Sequence, residues 1–176
     1  MKPKSISPLD RWILGKLCKT HLKVTEYLDN YDSQNACIEI ERFVDILSKW
    51  YVRRSRRRFW KTEDNDDKRA AYGTLYRCLE TLIYMMAPII PHISEALYQR
   101  MIKTTNKGSS ESVHHCRWPD VDKNILDEDL MAEMDLAMTL SSMGRAARSQ
   151  RNIKLRQPLQ EAVVILSNEE IPKFEN

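Results

Sequence analysis

Positive charge and aromatic rings are concentrated in one short stretch of the sequence, KWYVRRSRRRFWK (49–61). It contains seven basic and four aromatic residues and no acidic one. Guanidinium groups match phosphate oxygens through pairs of parallel hydrogen bonds, and an aromatic ring can stack on an unpaired base. These residue types at this density indicate the binding of a polyanion such as a nucleic acid.

A second basic block lies at 145–156, with five positive residues and no acidic one. The formal net charge of the chain is +3, and the two blocks together carry +12, so the rest carries −9. The mildly basic average therefore hides two concentrated patches on an acidic body, which suits a polyanionic partner. Two interpretations of Arg145 and Arg148 remain open, namely further phosphate contacts or cationic capping of a helix C-terminus.

The composition excludes several other classes of protein. No stretch approaches the ~20 apolar residues that span a bilayer, and the N-terminus lacks the apolar segment of a signal peptide. The four cysteines are far apart, without a CxxC motif, which favours a reducing, cytoplasmic location. The consecutive His114, His115 and Cys116 cannot readily converge on one ion. No phosphate loop, GxSxG or HExxH motif is present, so neither catalytic residues nor a metal site are predicted.

Apolar residues at spacings of three and four predict an all-α fold, a helical bundle of about five helices. Helices are expected at 8–28, from 33 through the arginine run, and at 67–86, 91–103 and 127–150. The second helix should bury the stripe Ala36, Ile40, Phe43, Leu47 and Tyr51. The fourth should bury Ile93, Leu97 and Met101.

The C-terminal part of the chain changes character at 153. A β-branched run at 162–166 follows Pro158 and predicts a short strand, which cannot be stable alone. We therefore expect one helical domain over 1–152, with 153–176 forming a connection and the start of a following region.

Helical geometry divides the arginines into two groups. At about 100° per residue, Arg54 and Arg58 continue the buried stripe of Leu47, so they should form structural ion pairs with carboxylates. The remaining side chains should form an outward face. Together with the second block, the predicted RNA-binding residues are Lys49, Arg53, Arg56, Arg57, Trp60, Lys61, Arg145 and Arg148.

Two other interpretations of the outward face stay open. It could be a solvated helix end that pairs with the acidic segment 63–67. It could also belong to a helical protein-interaction module whose arginines bind an acidic protein partner.

Five segments resemble the anticodon-binding domain of isoleucyl-tRNA synthetases, in the order in which that family has them. LSKWYVRRSRRRFWK (47–61) resembles its arginine-rich helix. The others are LDRWIL (9–14), AYGTLYRCLETLIYMMAPIIPHISEALYQRM (71–101), SVHHCRWPD (112–120) and GRAARSQRNIKLRQPL (144–159). The related valine, leucine and methionine enzymes share the helical bundle, and remain the alternative, but they lack the WYVRRSRRRFW run.

The resemblance implies a function for the chain and for a longer parent enzyme. The parent would be a monomeric, cytoplasmic ligase that activates isoleucine with ATP and Mg²⁺ and transfers it to tRNA(Ile). Its HIGH and KMSKS motifs, absent here, would lie in a catalytic domain preceding residue 1. The present chain would need no cofactor and would supply recognition of the anticodon stem-loop, without contact with a membrane.

Overall fold

Helices form almost all of the regular structure. A computed structural model of the chain describes residues 7–60 and 65–165. Its helices are α1 (Pro8–Asp29), α2 (Ser33–Ile46), α3 (Arg53–Trp60), α4 (Asp66–Met86), α5 (Pro91–Tyr98) and α6 (Glu128–Gln150). A π-helical segment, Leu47–Val52, joins α2 to α3, and a second one, Gln99–Lys103, extends α5. Two 3₁₀ turns follow at Val113–His115 and Lys123–Ile125. The predicted all-α fold is confirmed.

The prediction of a strand at 162–166 is wrong for the described residues 162–165. Residues 162–165 are irregular and exposed, and Leu166 lies outside the described part of the chain. A lone strand needs a partner for its backbone groups, and residues 7–60 and 65–165 contain no strand that could supply one. In the same ranges, no helix is both long and apolar enough to span a bilayer.

The chain divides into two compact units, Met1–Asp127 and Glu128–Asn176. The first contains α1 to α5 and the two 3₁₀ turns, and the second contains α6 and the irregular residues after it. The predicted domain boundary at 152 stays a prediction, because compactness alone does not define a domain.

The core of the first unit lies where α1 packs against α2 and α4. The side chains of Trp12 and Ile13 are fully buried there. All five residues predicted for the stripe of the second helix are buried, from Ala36 to Tyr51. Asp32 caps this helix by accepting a hydrogen bond from the backbone N–H of Asn35 at 3.0 Å.

The buried face of α5 differs from the predicted one by one residue. Ser94, Tyr98 and Ile102 are buried, whereas Ile93 is 58% exposed and Leu97 is 41% exposed. Hydrogen bonds explain the rotation, because the Tyr98 hydroxyl donates to the Ser110 carbonyl at 2.9 Å. Burying the large ring of Tyr98, whose polar tip finds a partner, satisfies both its apolar and its polar parts.

Helix α1 ends in a Schellman motif in which a tyrosine, Tyr31, occupies the position that glycine usually occupies. The N–H of Tyr31 donates to the carbonyl of Leu28 at 3.0 Å, and the N–H of Asp32 donates to that of Tyr27 at 2.8 Å. This pattern places Tyr31 at the position after the C-cap, with a φ of 59°. Glycine usually occupies that position because a Cβ atom is strained in the left-handed region. The Tyr31 side chain is 96% exposed, so it contributes little packing in return.

Replacing Tyr31 by glycine should therefore stabilise the chain. We expect Tyr31→Gly to raise the free energy of unfolding by about 0.5–1 kcal/mol, the left-handed strain minus the extra entropy of glycine in the unfolded chain. Urea titration followed by circular dichroism measures the change. Tyr31→Ala, which keeps a Cβ atom, is the matched control and should not stabilise. Equal stabilities of the two variants would contradict the strain.

Another expectation concerns His21, which is buried in α1 with its ring 5.5 Å from that of Trp118. Burial lowers the pKa of His21, and the backbone of Pro119 and the charge of Asp120 oppose this only in part. The folded state therefore keeps His21 neutral at a pH at which the unfolded chain takes up a proton. Stability should fall as the pH decreases below about 6.5, the ordinary histidine pKa.

Chemical denaturation at pH 7.5 and at pH 5.5 tests this proton linkage, the two values bracketing that pKa. His21→Phe keeps a ring against Trp118 but cannot titrate. We expect this variant to lose less stability between the two pH values than the parent chain does. An identical loss in both would show that His21 is not responsible.

Candidate nucleic-acid interface

A buried ion pair fixes the end of α3 against the rest of the first unit. Asp10 is fully buried, and both of its carboxylate oxygens accept hydrogen bonds from the Arg58 guanidinium at 2.7 Å. The Nε of Arg58 also donates to Asp67 at 2.8 Å, and its Nη2 donates to the Asp67 carbonyl at 3.1 Å. Arg58, for which the sequence predicts ion pairs, thus links α3 to α1 and to α4.

Tyr51 completes this arrangement from the π-helical segment. Its hydroxyl donates to Asp10 at 2.7 Å, and the Ala71 carbonyl lies 3.2 Å away. Burial and the bond to Asp10 raise the pKa of Tyr51 well above its usual value. The hydrogen bonds to Asp10 likewise raise the pKa of Arg58, although burial opposes them. Tyr51 therefore stays a neutral donor and Arg58 stays charged, so the buried carboxylate is always paired.

Arg54 forms no ion pair with a carboxylate among the described residues, contrary to the prediction. It is exposed, and its guanidinium carbon lies 4.3 Å from the centre of the Trp50 ring. The π-helical segment explains the difference. A π turn contains one more residue than an α turn, so the residues after Val52 are rotated relative to a continuous α-helix. Ser55, which is fully buried, takes the place in the stripe that α-helical spacing assigns to Arg54.

The side chains that remain outside form what we call the arginine surface, defined as Arg53, Arg54, Arg56, Arg57 and Trp60. These five residues line a shallow, open depression of about 680 Å³. Their side chains are all exposed, and Trp60 is 70% exposed. Among residues 7–60 and 65–165, none of the four arginines forms an ion pair with a carboxylate. The sequence predicted three of these arginines on the outer face but missed Arg54.

The two lysines predicted for this face differ from the arginines. Lys49 is exposed, but it pairs with Asp45 at 2.6 Å, an i,i+4 pair between the π-helical segment and the end of α2. Its charge is therefore partly neutralised by a neighbour. Lys61 lies outside the described residues. A phosphate-binding role for either lysine stays a prediction.

Tryptophan rings hold two of the four exposed guanidinium groups. Arg56 lies over the ring of Trp60 at 3.9 Å, and Arg54 lies over that of Trp50 at 4.3 Å. Such cation–π contacts stabilise by about 0.5–1 kcal/mol at exposed sites. They restrict the side-chain rotamers, and neither guanidinium donates a hydrogen bond to an acceptor in residues 7–60 and 65–165. The surface is thus partly ordered before any anion arrives.

The basic residues of the second unit make contacts of another kind. The Nη1 of Arg148 donates to the backbone carbonyls of Lys154 and Gln157 at 3.0 and 2.8 Å. Arg145 donates to the Ser141 carbonyl at 3.1 Å. The carbonyls of Lys154 and Gln157 lie beyond the end of α6 at Gln150, so Arg148 contacts the segment after the helix and not its last carbonyls. The phosphate-binding roles of Arg145 and Arg148 stay predictions.

The described residues include groups suited to anion binding, namely the exposed guanidinium groups of α3. No group of three or more His, Cys, Asp and Glu residues among them could hold a metal ion. A helix with several guanidinium groups that have no carboxylate partner in the described chain suits the phosphates of a nucleic acid.

The family model for the anticodon-binding domain of tRNA ligases matches residues 10–165. The chain belongs to this family. The matched residues begin at Asp10, so they include both the buried ion pair and the whole arginine surface. The family description supports RNA as the polyanion more than an acidic protein.

Three curated relatives of this chain are larger proteins. The chain is 50% identical over 163 residues to the isoleucine–tRNA ligase of Dehalococcoides mccartyi (strain CBDB1) and 46% identical over 166 residues to that of Clostridium novyi (strain NT). These alignments cover 93% and 94% of this chain, but 16% of each relative. The isoleucine–tRNA ligase of Cutibacterium acnes is 46% identical over 89% of this chain and 14% of its own length. The chain thus spans about one sixth of the length of these relatives.

Removal of the buried carboxylate should destabilise the domain strongly. Asp10→Ala leaves the charge of Arg58 buried without its main partner, which we expect to lower the free energy of unfolding by about 3–5 kcal/mol. Denaturant titration measures the loss. Asp45→Ala breaks the exposed Lys49 pair and is the matched control, with an expected cost below about 1 kcal/mol. Similar losses in the two variants would show that the Asp10–Arg58 pair is not an anchor.

Proposed function

We propose that this chain is the tRNA-binding part of an isoleucine–tRNA ligase and that the arginine surface contacts the RNA backbone. One observation carries the proposal, namely that four exposed arginines lie within five residues without a carboxylate partner in the described chain. The family match supports a tRNA as the ligand, and the isoleucine enzymes among the relatives support tRNA(Ile).

Charge repulsion gives the proposal its physical basis. Unpaired like charges on adjacent turns destabilise a helix, so an arginine cluster of this kind has a cost in the free protein. Arg58 does not add to that cost, because Asp10 and Asp67 neutralise it. Binding of phosphates removes the repulsion among the other four and releases counterions from the RNA. Guanidinium groups suit this role better than ammonium groups, since their planar forks match phosphate oxygens.

The activity of the whole enzyme would reside elsewhere in a longer protein. That protein would be a cytoplasmic monomer in which a catalytic domain binds ATP, Mg²⁺ and isoleucine and transfers the amino acid to tRNA(Ile). The present chain would dock on the anticodon stem-loop and hold the tRNA for that reaction. It would contact the catalytic domain of the same polypeptide and no membrane.

Substitution of exposed arginines should weaken RNA binding without unfolding the domain. We expect Arg53→Ala and Arg57→Ala each to raise the Kd for tRNA(Ile) by roughly 5-fold, the value of about 1 kcal/mol of net hydrogen bonding. The slope of log K against log salt should also become shallower by about 0.7–0.9 per arginine lost. Filter binding at several salt concentrations measures both quantities.

Two controls accompany that experiment. Lys49→Ala removes a positive charge already paired with Asp45, so we expect a smaller effect on Kd and on the salt slope. Thermal melting should show unchanged stability in both arginine variants, since neither residue forms an ion pair within the described part of the chain. Unchanged Kd values would overturn the proposed RNA surface, and equal affinity for a non-cognate tRNA would locate the isoleucine specificity outside this chain.

A further inference from the structure

Trp60 differs from the other large aromatic residues near it, because its ring is not used for packing. The preceding Phe59 packs edge-on against Tyr72, with ring centres 5.0 Å apart. The aromatic contact between the end of α3 and α4 is therefore made by Phe59. Trp60 remains 70% exposed at the edge of the depression lined by the arginine surface. A single exposed tryptophan is common on protein surfaces, so its neighbours decide what it can bind.

The two tryptophan–arginine pairs on this helix differ in one respect. Both place an arginine over a ring at i,i+4 spacing, with distances of 4.3 Å for Trp50 and 3.9 Å for Trp60. Trp50 is mostly buried, so the protein covers much of its ring besides the face under Arg54. Trp60 is largely exposed, so Arg56 occupies one face and the opposite face is open. Only the Trp60 pair can therefore accept a further planar group.

The residues around the open face of Trp60 suit a ligand that combines an anionic chain with a planar group. Arg53, Arg57 and Trp60 lie at i, i+4 and i+7, along one face of α3 that is about 10 Å long. A guanidinium on one side of the indole holds the ring in place, which lowers the entropy lost on binding. Phosphates on the arginines would bring the base of the same nucleotide chain beside the ring. A base inside a duplex has both faces covered by its neighbours, so the base must be unpaired and unstacked.

Resting on the proposed function, we propose that the open face of Trp60 stacks on one unpaired base of the bound RNA, while Arg53 and Arg57 hold the adjoining phosphates. Arg56 is a positioning residue that fixes the indole from its other side. The contact is sequence-tolerant, since every base has a flat face. It therefore distinguishes single-stranded from paired RNA rather than one base from another.

The test compares two RNA probes on the chain of 176 residues. One probe is the hairpin of the tRNA(Ile) anticodon arm, and the other is a fully paired duplex built from its stem. We expect Trp60→Ala to raise the Kd for the hairpin by at least about 5-fold, the lower end of base–aromatic stacking. The Kd for the duplex should not change. Trp60→Phe should restore most of the hairpin affinity.

Salt dependence separates stacking from charge. Trp60→Ala should leave the salt slope for the hairpin unchanged, because stacking releases no counterions, whereas Arg53→Ala should make it shallower. Arg56→Lys, which keeps the charge but loses the flat stacking group, should weaken hairpin binding more than duplex binding. Trp50→Phe is the matched control, because Trp50 belongs to the other tryptophan–arginine pair and its ring is mostly buried. This variant should bind both probes as the parent chain does.

The outcomes distinguish the two proposals. If Trp60→Ala weakens both probes equally, or neither, the stacking inference is overturned, while the effect of Arg53→Ala still tests the RNA surface. If neither substitution changes the affinity for either probe, the proposed function fails as well.

Discussion

The buried carboxylate of Asp10 is the constraint on which the rest of this structure depends. A charge with no exposed surface must be paired, and loss of its partner costs several kcal/mol. Asp10 meets this requirement with Arg58 and Tyr51, residues 48 and 41 positions away. The three groups belong to α1, to α3 and to the π-helical segment between α2 and α3. Satisfying one carboxylate therefore fixes how the arginine-rich helix lies on the bundle.

Fixing Arg58 also determines what its neighbours can do. Once Arg58 turns inward and Ser55 fills the buried stripe, Arg53, Arg54, Arg56 and Arg57 must point away from the core. The same short run thus uses one arginine as an internal anchor and four as a surface. Serine at position 55 is small enough to be fully buried there. A further arginine side chain at this position would prevent that burial. The composition RRSRRR is explained by this division rather than by a uniform basic patch.

Residue spacing predicted much of the fold but not the orientation of every helix face. The stripe from Ala36 to Tyr51 was predicted correctly because its apolar residues leave one possible buried face. The ion pair of Asp10 was not predicted, since no local pattern in the sequence reveals a partner 48 residues away. The prediction that Arg54 faces the core was wrong, because it rests on a constant rotation of about 100° per residue. Nothing in the residues KWYV predicts a π turn. In α5, Ile93 and Leu97 outrank Tyr98 in hydrophobicity, yet the hydrogen bond from Tyr98 to Ser110 decides which face is buried.

The residues of the candidate site could also be predicted only in part from the sequence. Charge density alone indicated a polyanion, and this part needed no structure. Whether each charge is available for binding, however, depends on contacts between residues that are distant in the sequence, and the sequence alone does not show these contacts. Lys49 and Arg53 belong to the same run. Asp45, one turn earlier, pairs with the lysine, whereas no carboxylate among residues 7–60 and 65–165 pairs with the arginine. A binding surface is thus the set of charges that the fold leaves unpaired, and the buried Asp10 contributes to it by removing Arg58 from that set.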